Sequence, residues 1–182
     1  MSRLSIPAVV DAPAASQPLL AVVHKKLGVV PNLMKLLGQS PAALEGYLSL
    51  SGALDKGVLN AKLRETLALA VAEFNGCDYC LAAHSYIGKN LVKLTDDEIA
   101  QARDGRAADA RNDAALRFAQ RVAAERGRVL DADIAALRAA GFSDAEAVEI
   151  VLHVALNVLT NYINNVAHTD VDFPRVSSYT HA

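Results

Sequence analysis

The chain has no tryptophan, only 5% aromatic residues, and just two cysteines in 182 residues. Strands favour β-branched and aromatic side chains, so this shortage weighs against a sheet-built core. Neither sign of charge is in excess. The net charge is −2 and the lysines and arginines are spread along the chain, which gives no electrostatic reason to expect a nucleic-acid partner. The N-terminus, Met1-Ser2-Arg3-Leu4-Ser5-Ile6-Pro7, has one basic residue and no apolar run long enough for a signal peptide before Pro7 and Asp11. The most apolar later stretch, Ala147 to Val158, is interrupted by Glu149, His153 and Asn157, and reads as too short and too polar to span a bilayer. The expectation is a cytoplasmic protein with no membrane and no nucleic-acid partner. Domain linkers and low-complexity segments are also lacking, and the length suits one domain with a substantial core.

Alanine and leucine are abundant. They carry most of the 52% hydrophobic content and stand at the top of the helix propensity scale. The pattern predicts an all-α domain of about nine helices over residues 1–182, with an irregular segment 1–15 and an irregular tail 168–182. Gly28, Gly38 and Gly57 end the first three helices, and Ser40-Pro41 opens the third. Asn60 caps a helix that ends at Asn75-Gly76, and the next runs on to Gly88. Thr95-Asp96-Asp97-Glu98 and Ser143-Asp144-Ala145-Glu146 are capping boxes, the second opening a long helix to about Val166. A helix from about Asp109 to Arg126 and a short one capped by Asp131 complete the set.

The two cysteines are three residues apart. Cys77-Asp78-Tyr79-Cys80 is followed by His84, four residues after the second thiol. At about 100° per residue, Cys80 lies about −60° and His84 about −20° from Cys77, so one helix face carries thiol, thiol and imidazole. In a reducing compartment such a pair points to catalytic, redox or metal chemistry. Cys77, just after Gly76, is near a helix start, where free amides favour a thiolate. His84 can take the proton or stabilise the thiolate. Glu65, on the preceding helix, has Ala61, Ala68 and Leu69 among its same-face neighbours and needs a partner or a proton there. Glu73, closer to the helix end, reads as solvated. Other readings stay open: two buried apolar cysteines, or a zinc site of Cys77, Cys80 and His84 with a fourth ligand from His153, His168 or Glu65. His24 and His181 read as solvated and His153 as a satisfied core histidine. A thioredoxin-like site is excluded by helices on both sides of the pair.

Glu65, Cys77, Cys80 and His84 together resemble the Glu…CxxCxxxHis signature of the alkylhydroperoxidase AhpD-like proteins of the carboxymuconolactone decarboxylase superfamily. The run Arg64-Glu65-Thr66-Leu67-Ala68-Leu69-Ala70-Val71-Ala72-Glu73 fits as well. Val30-Pro31-Asn32-Leu33 and Asn161-Tyr162-Ile163-Asn164-Asn165 resemble its peroxidase-related branch. The resemblance implies an all-helical fold assembling as a homo-oligomer, a trimer or hexamer. It implies a peroxidase without haem, flavin or other resident cofactor and without a metal, acting on a hydroperoxide and needing an external dithiol reductant. Cys80 would attack the peroxide, Cys77 would resolve the sulfenic acid to a disulfide, and Glu65 and His84 would relay protons. On this point the resemblance and the helix-start argument for Cys77 disagree. One position departs from the family: Tyr79 stands where the best-studied branch has histidine, leaving a phenol that can donate a hydrogen bond or line the pocket but shuttles protons poorly near pH 7. The decarboxylase branch lacks the cysteine pair. The rival readings are a dithiol-disulfide oxidoreductase with little peroxide turnover and a non-catalytic helical oligomer with metal-bound or vestigial cysteines.

Overall fold

The computed structural model describes residues 2–179, and within them the regular structure is helical, with no strand. Nine α-helices follow a short 3-10 turn at Val9–Asp11: α1 (Gln17–Leu27), α2 (Asn32–Leu37), α3 (Pro41–Leu54), α4 (Ala61–Phe74), α5 (Asp78–Ile87), α6 (Asp96–Arg103), α7 (Ala110–Ala124), α8 (Asp131–Ala139) and α9 (Asp144–Ala167). The caps read from sequence form. Asn60 accepts from the Leu63 amide at 2.9 Å, and both capping boxes close reciprocally at α6 and α9.

One local expectation needs correcting. Asp131 is the first residue of α8 and not its cap; Leu130 holds that place, and Asp133 accepts from its backbone N–H at 2.8 Å. The cysteine α-helix ends at Ile87 with Gly88 as its C-cap, as read from sequence, but the chain stays helical beyond it. The backbone passes through it in helical conformation and continues as a π-helical turn, Gly88–Val92, that stops only at Lys93 with φ +65°. A Cβ at Gly88 would meet Leu94 Cδ1 at 2.9 Å, so glycine there lets the turn pack closely.

Helix α4 is the centre of the molecule. It packs against α5, α6, α7 and α9, and Leu67 through Glu73 are all buried. The stretch Leu67–Ala72 is apolar on every side and belongs inside a core, and its alternation of Ala with Leu or Val lets the neighbours approach closely. Helix α9 is longer than the apolar stretch singled out from sequence. Its 24 residues are long and apolar enough, by length and composition, to cross a membrane. It packs instead against α3, α4, α5 and α7. Its buried face is mixed: Ile150, Val154 and Ala167 are buried together with His153, Asn157, Thr160, Asn161 and Asn164, while Val148, Val151, Leu152, Leu159, Tyr162 and Val166 are exposed.

Candidate functional site

The corner between α4 and α5 places the cysteines. Gly76 has φ +59°, Gly76 N–H donates to the Glu73 carbonyl at 3.0 Å and Cys77 N–H donates to the Ala72 carbonyl at 2.9 Å. This is a Schellman ending, which needs a left-handed residue where glycine stands. Cys77 is therefore both the residue that closes α4 and the N-cap of α5. Its sulfur takes the part a capping oxygen normally plays, accepting from the Cys80 backbone N–H at 3.3 Å.

Helical geometry then aims Cys80 back at Cys77. The two free sulfurs lie 2.7 Å apart, with Cys77 Sγ–H donating to Cys80 Sγ. The hydrogen bond to Cys80, with burial and the Cys80 charge behind it, drives the Cys77 thiol far up. Burial also pushes Cys80 up. The hydrogen bond from Cys77, the His84 charge and the amides of Asn164 and Asn161 outweigh it and bring Cys80 down to about 7. The pair shares a proton, and the donors converge on Cys80. His84 Nδ1 lies 2.9 Å from Glu65 Oε2, across the α4–α5 contact. Burial works against a charged His84, but the charge and hydrogen bond of Glu65 prevail and hold its pKa above the ordinary imidazole value. The structure thus brings Cys77, Cys80, His84 and Glu65 together. Cys77 is 0% and Cys80 2% exposed, while the Glu65 and His84 side chains keep 17% and 24%. Of the four, the acid-base pair carries nearly all the solvent exposure.

Three further groups meet this site from other elements. From α9, Asn164 Nδ2 donates to Cys80 Sγ at 3.3 Å. Asn161 is fully buried beside it, its Oδ1 accepting from Asn75 Nδ2 at 2.9 Å. From α3, Tyr47 faces the charges of Cys80 and Glu65, and burial pushes its phenol up to about 12, so it remains a neutral hydroxyl. Sequence reasoning placed Asn161 and Asn164 only in a motif of resemblance. Their signal was there: polar residues at 157, 161 and 164 recur at helical spacing along an otherwise apolar helix, the stripe that α9 turns inward.

Tyr79 and Glu73 take structural places. Tyr79 hydroxyl donates to Asp172 Oδ1 at 2.8 Å and accepts from Leu33 N–H at 3.1 Å, and its ring meets Phe173 edge-on at 5.8 Å. Both capacities of the hydroxyl are filled away from the thiols, so it ties α5 to α2 and the tail and is not available as a proton shuttle. Glu73 is buried, contrary to expectation, bound by Arg103 Nε at 2.7 Å and by the Tyr179 N–H at 2.6 Å. The tail is irregular but anchored; Ser178 N–H also donates to Asp78 Oδ1 at 2.8 Å. His153 is buried with Nε2 lacking a partner, so it is not the satisfied core histidine expected. His24 and His168 are exposed, and His181 lies outside the described residues. Among the described residues no cluster of three or more His, Cys, Asp or Glu side chains has metal-holding geometry.

Comparison with known proteins adds to this geometry. The model of the carboxymuconolactone decarboxylase family matches residues 41–125, from the start of α3 to the end of α7. A 48-residue stretch is 46% identical to an uncharacterized protein of Haemophilus influenzae; the match spans 26% of this chain and 42% of that protein's length. The alkylhydroperoxidase AhpD core of a peroxidase-related protein from Ralstonia eutropha JMP134 superposes with a TM-score of 0.82 at 29% identity, covering 94% of this chain and 92% of that one. The debrominase Bmp8 shares the fold, with a TM-score of 0.74 at 20% identity and coverage of 94% and 91%.

Proposed function

This chain belongs to the carboxymuconolactone decarboxylase superfamily and has its AhpD-like fold, and from that premise we propose that it is a thiol-dependent peroxidase. The Cys80 thiolate attacks the terminal oxygen of a hydroperoxide. The O–O bond breaks, the leaving alkoxide takes a proton from the His84–Glu65 pair, and Cys80 becomes a sulfenic acid. Cys77 gives its proton to the His84–Glu65 pair, which passes it to the departing hydroxide, and attacks the Cys80 sulfur. Hydroxide leaves as water once protonated, and a disulfide forms. The peroxide gains two electrons and the dithiol loses two; an external dithiol then restores the pair by exchange. No haem, flavin or resident metal enters the scheme. The carrying observation is the 2.7 Å approach of two free sulfurs beside an imidazole that is itself held by a carboxylate.

The peroxidase-related relative at 29% identity supports the same chemistry. Burial of both sulfurs favours a small oxidant over a bulky one. We also propose that the protein works in the cytoplasm, where reduced dithiols are available, and as a homo-oligomer, a trimer or hexamer.

Thiol titration before and after one equivalent of organic hydroperoxide, with mass mapping of the oxidised residues, tests the reading. The expected result is loss of both thiols to a Cys77–Cys80 disulfide. Cys80→Ser is expected to abolish peroxide consumption, and Cys77→Ser to stop at a sulfenic acid. Undiminished peroxide consumption by Cys80→Ser defeats the proposal. Fast exchange with disulfides combined with negligible peroxide turnover identifies a dithiol-disulfide oxidoreductase instead.

A further inference from the structure

The α4–α5 corner leaves one matter open: why Cys80, rather than the helix-capping Cys77, should carry the negative charge. Helix α9 supplies an answer. Asn164 is 3% exposed, and its Nδ2 donates to Cys80 Sγ at 3.3 Å. A sulfur that already receives the Cys77 S–H is the acceptor of the pair, so an N–H and not a C=O belongs against it. Asn161, three residues earlier on the same face, is held by Asn75, which in turn accepts at its carbonyl from Asn165 Nδ2 at 2.9 Å. That chain of amides fixes Asn161 with its Oδ1 engaged and leaves its buried Nδ2, with no full hydrogen bond of its own, to face the Cys80 sulfur. Leaving such a donor buried without an acceptor costs free energy, unless charge develops next to it. Among the described residues Cys77 has no comparable donors; there only the Cys80 backbone N–H donates to its sulfur.

We propose that Asn164, backed by Asn161, is a positioning residue that fixes the negative charge of the thiol pair on Cys80 by donating its side-chain N–H to that sulfur. The proposal deepens the peroxidase reading, resting on Cys80 as its attacking thiol. The titratable groups that face Cys80 are Cys77 and His84 on its own element, Tyr79 beside it, Glu65 on α4 and Tyr47 on α3. From α9 it meets neutral amides, so removing one changes hydrogen bonding without removing a charge.

The experiment reads the thiolate directly and needs no peroxide. In Cys77→Ser protein Cys80 is the sole cysteine, and its thiolate absorbance at 240 nm can be followed against pH. Adding Asn164→Leu, or Asn164→Ala where leucine prevents folding, is expected to raise the Cys80 midpoint by about one unit and lower the thiolate fraction below the midpoint about tenfold. A second measurement uses the unsubstituted protein: the Asn164 side-chain amide resonances are expected to shift with the same midpoint as the Cys80 thiolate. An unchanged midpoint in a folded Asn164 variant, or an Asn164 amide that ignores the thiolate titration, overturns the assignment. Absence of peroxide turnover in the unsubstituted protein, with these thiolate results intact, would count against the peroxidase reading alone.

Discussion

Glu65 is the residue that raises the proton affinity of His84. An imidazole as enclosed as His84 would ordinarily release its proton more readily, and it is the carboxylate 2.9 Å away that reverses this. Because the folded-state pKa of His84 is raised, the pair's contribution to stability is fully present below the ordinary imidazole value and is lost as pH rises through the raised one. Glu65→Gln should therefore lower the His84 midpoint, read from its ring proton resonance against pH, and should destabilise the protein more at pH 6 than at pH 9. Peroxide turnover near pH 7 should fall by about a hundredfold or more, the usual scale for loss of an acid-base group. A His84 midpoint unmoved by Glu65→Gln would show that the pair is not what charges the imidazole.

At the scale of elements, the site depends on one corner and one cap. Gly76 sits at φ +59°, where a Cβ costs about 1–2 kcal/mol. Gly76→Ala is expected to lower the thermal midpoint by several degrees and, because Cys77 is the residue that the corner delivers, to slow disulfide formation after oxidation more than it slows the first loss of peroxide. Equal slowing of both steps would mean that the corner does not place Cys77. Helix α9 enters through the Ser143–Glu146 box. Ser143→Ala should cost about 1 kcal/mol, measured by denaturant unfolding. The backbone and side-chain bonds of Ser143, together with Arg111, hold the Glu146 carboxyl below its usual value. Its contribution is present at neutral pH and lost as pH falls through the depressed value, so the cost of Glu146→Gln should shrink in acid.

On the scale of the whole molecule, α9 joins the inside to the outside. Val148, Val151, Leu152, Leu159, Tyr162 and Val166 fall within a sector of about 100° on its outer side and are all exposed. A continuous uncharged apolar row of this kind suits burial against a second copy of the same chain, the homo-oligomer proposed above. Leu152→Glu with Leu159→Glu should reduce the sedimentation mass to that of one chain while preserving the helical circular-dichroism spectrum. A monomeric unsubstituted protein at micromolar concentration would rule the assembly out. The tail works at the same scale. Asp172 accepts from Tyr79 and from the Asn32 N–H at 2.8 Å, and Arg103 joins Glu73, the Ser177 carbonyl and the Tyr179 ring. The chain end thereby clamps α2, α5 and α6 around the cysteine corner.

The sequence by itself determined what depends on neighbours along the chain. The helical class, the caps at Asn60, Thr95 and Ser143, and the shared face of Cys77, Cys80 and His84 follow from propensity, side-chain capping and the fixed turn of a helix, all properties of a few consecutive residues. Only the tertiary structure decided which of the two thiols the donors surround, because Asn161 and Asn164 arrive from α9, more than eighty residues later. It also decided that Tyr79 and Glu73 serve as anchors, since Asp172, Arg103 and Tyr179 reach them from α6 and a tail with no periodicity to read. A stripe of asparagines on a helix looks like a solvent face until packing sets the helix's rotation, and here that rotation turns Asn161 and Asn164 toward sulfur and leaves a row of aliphatic side chains, Val148 to Val166, outside.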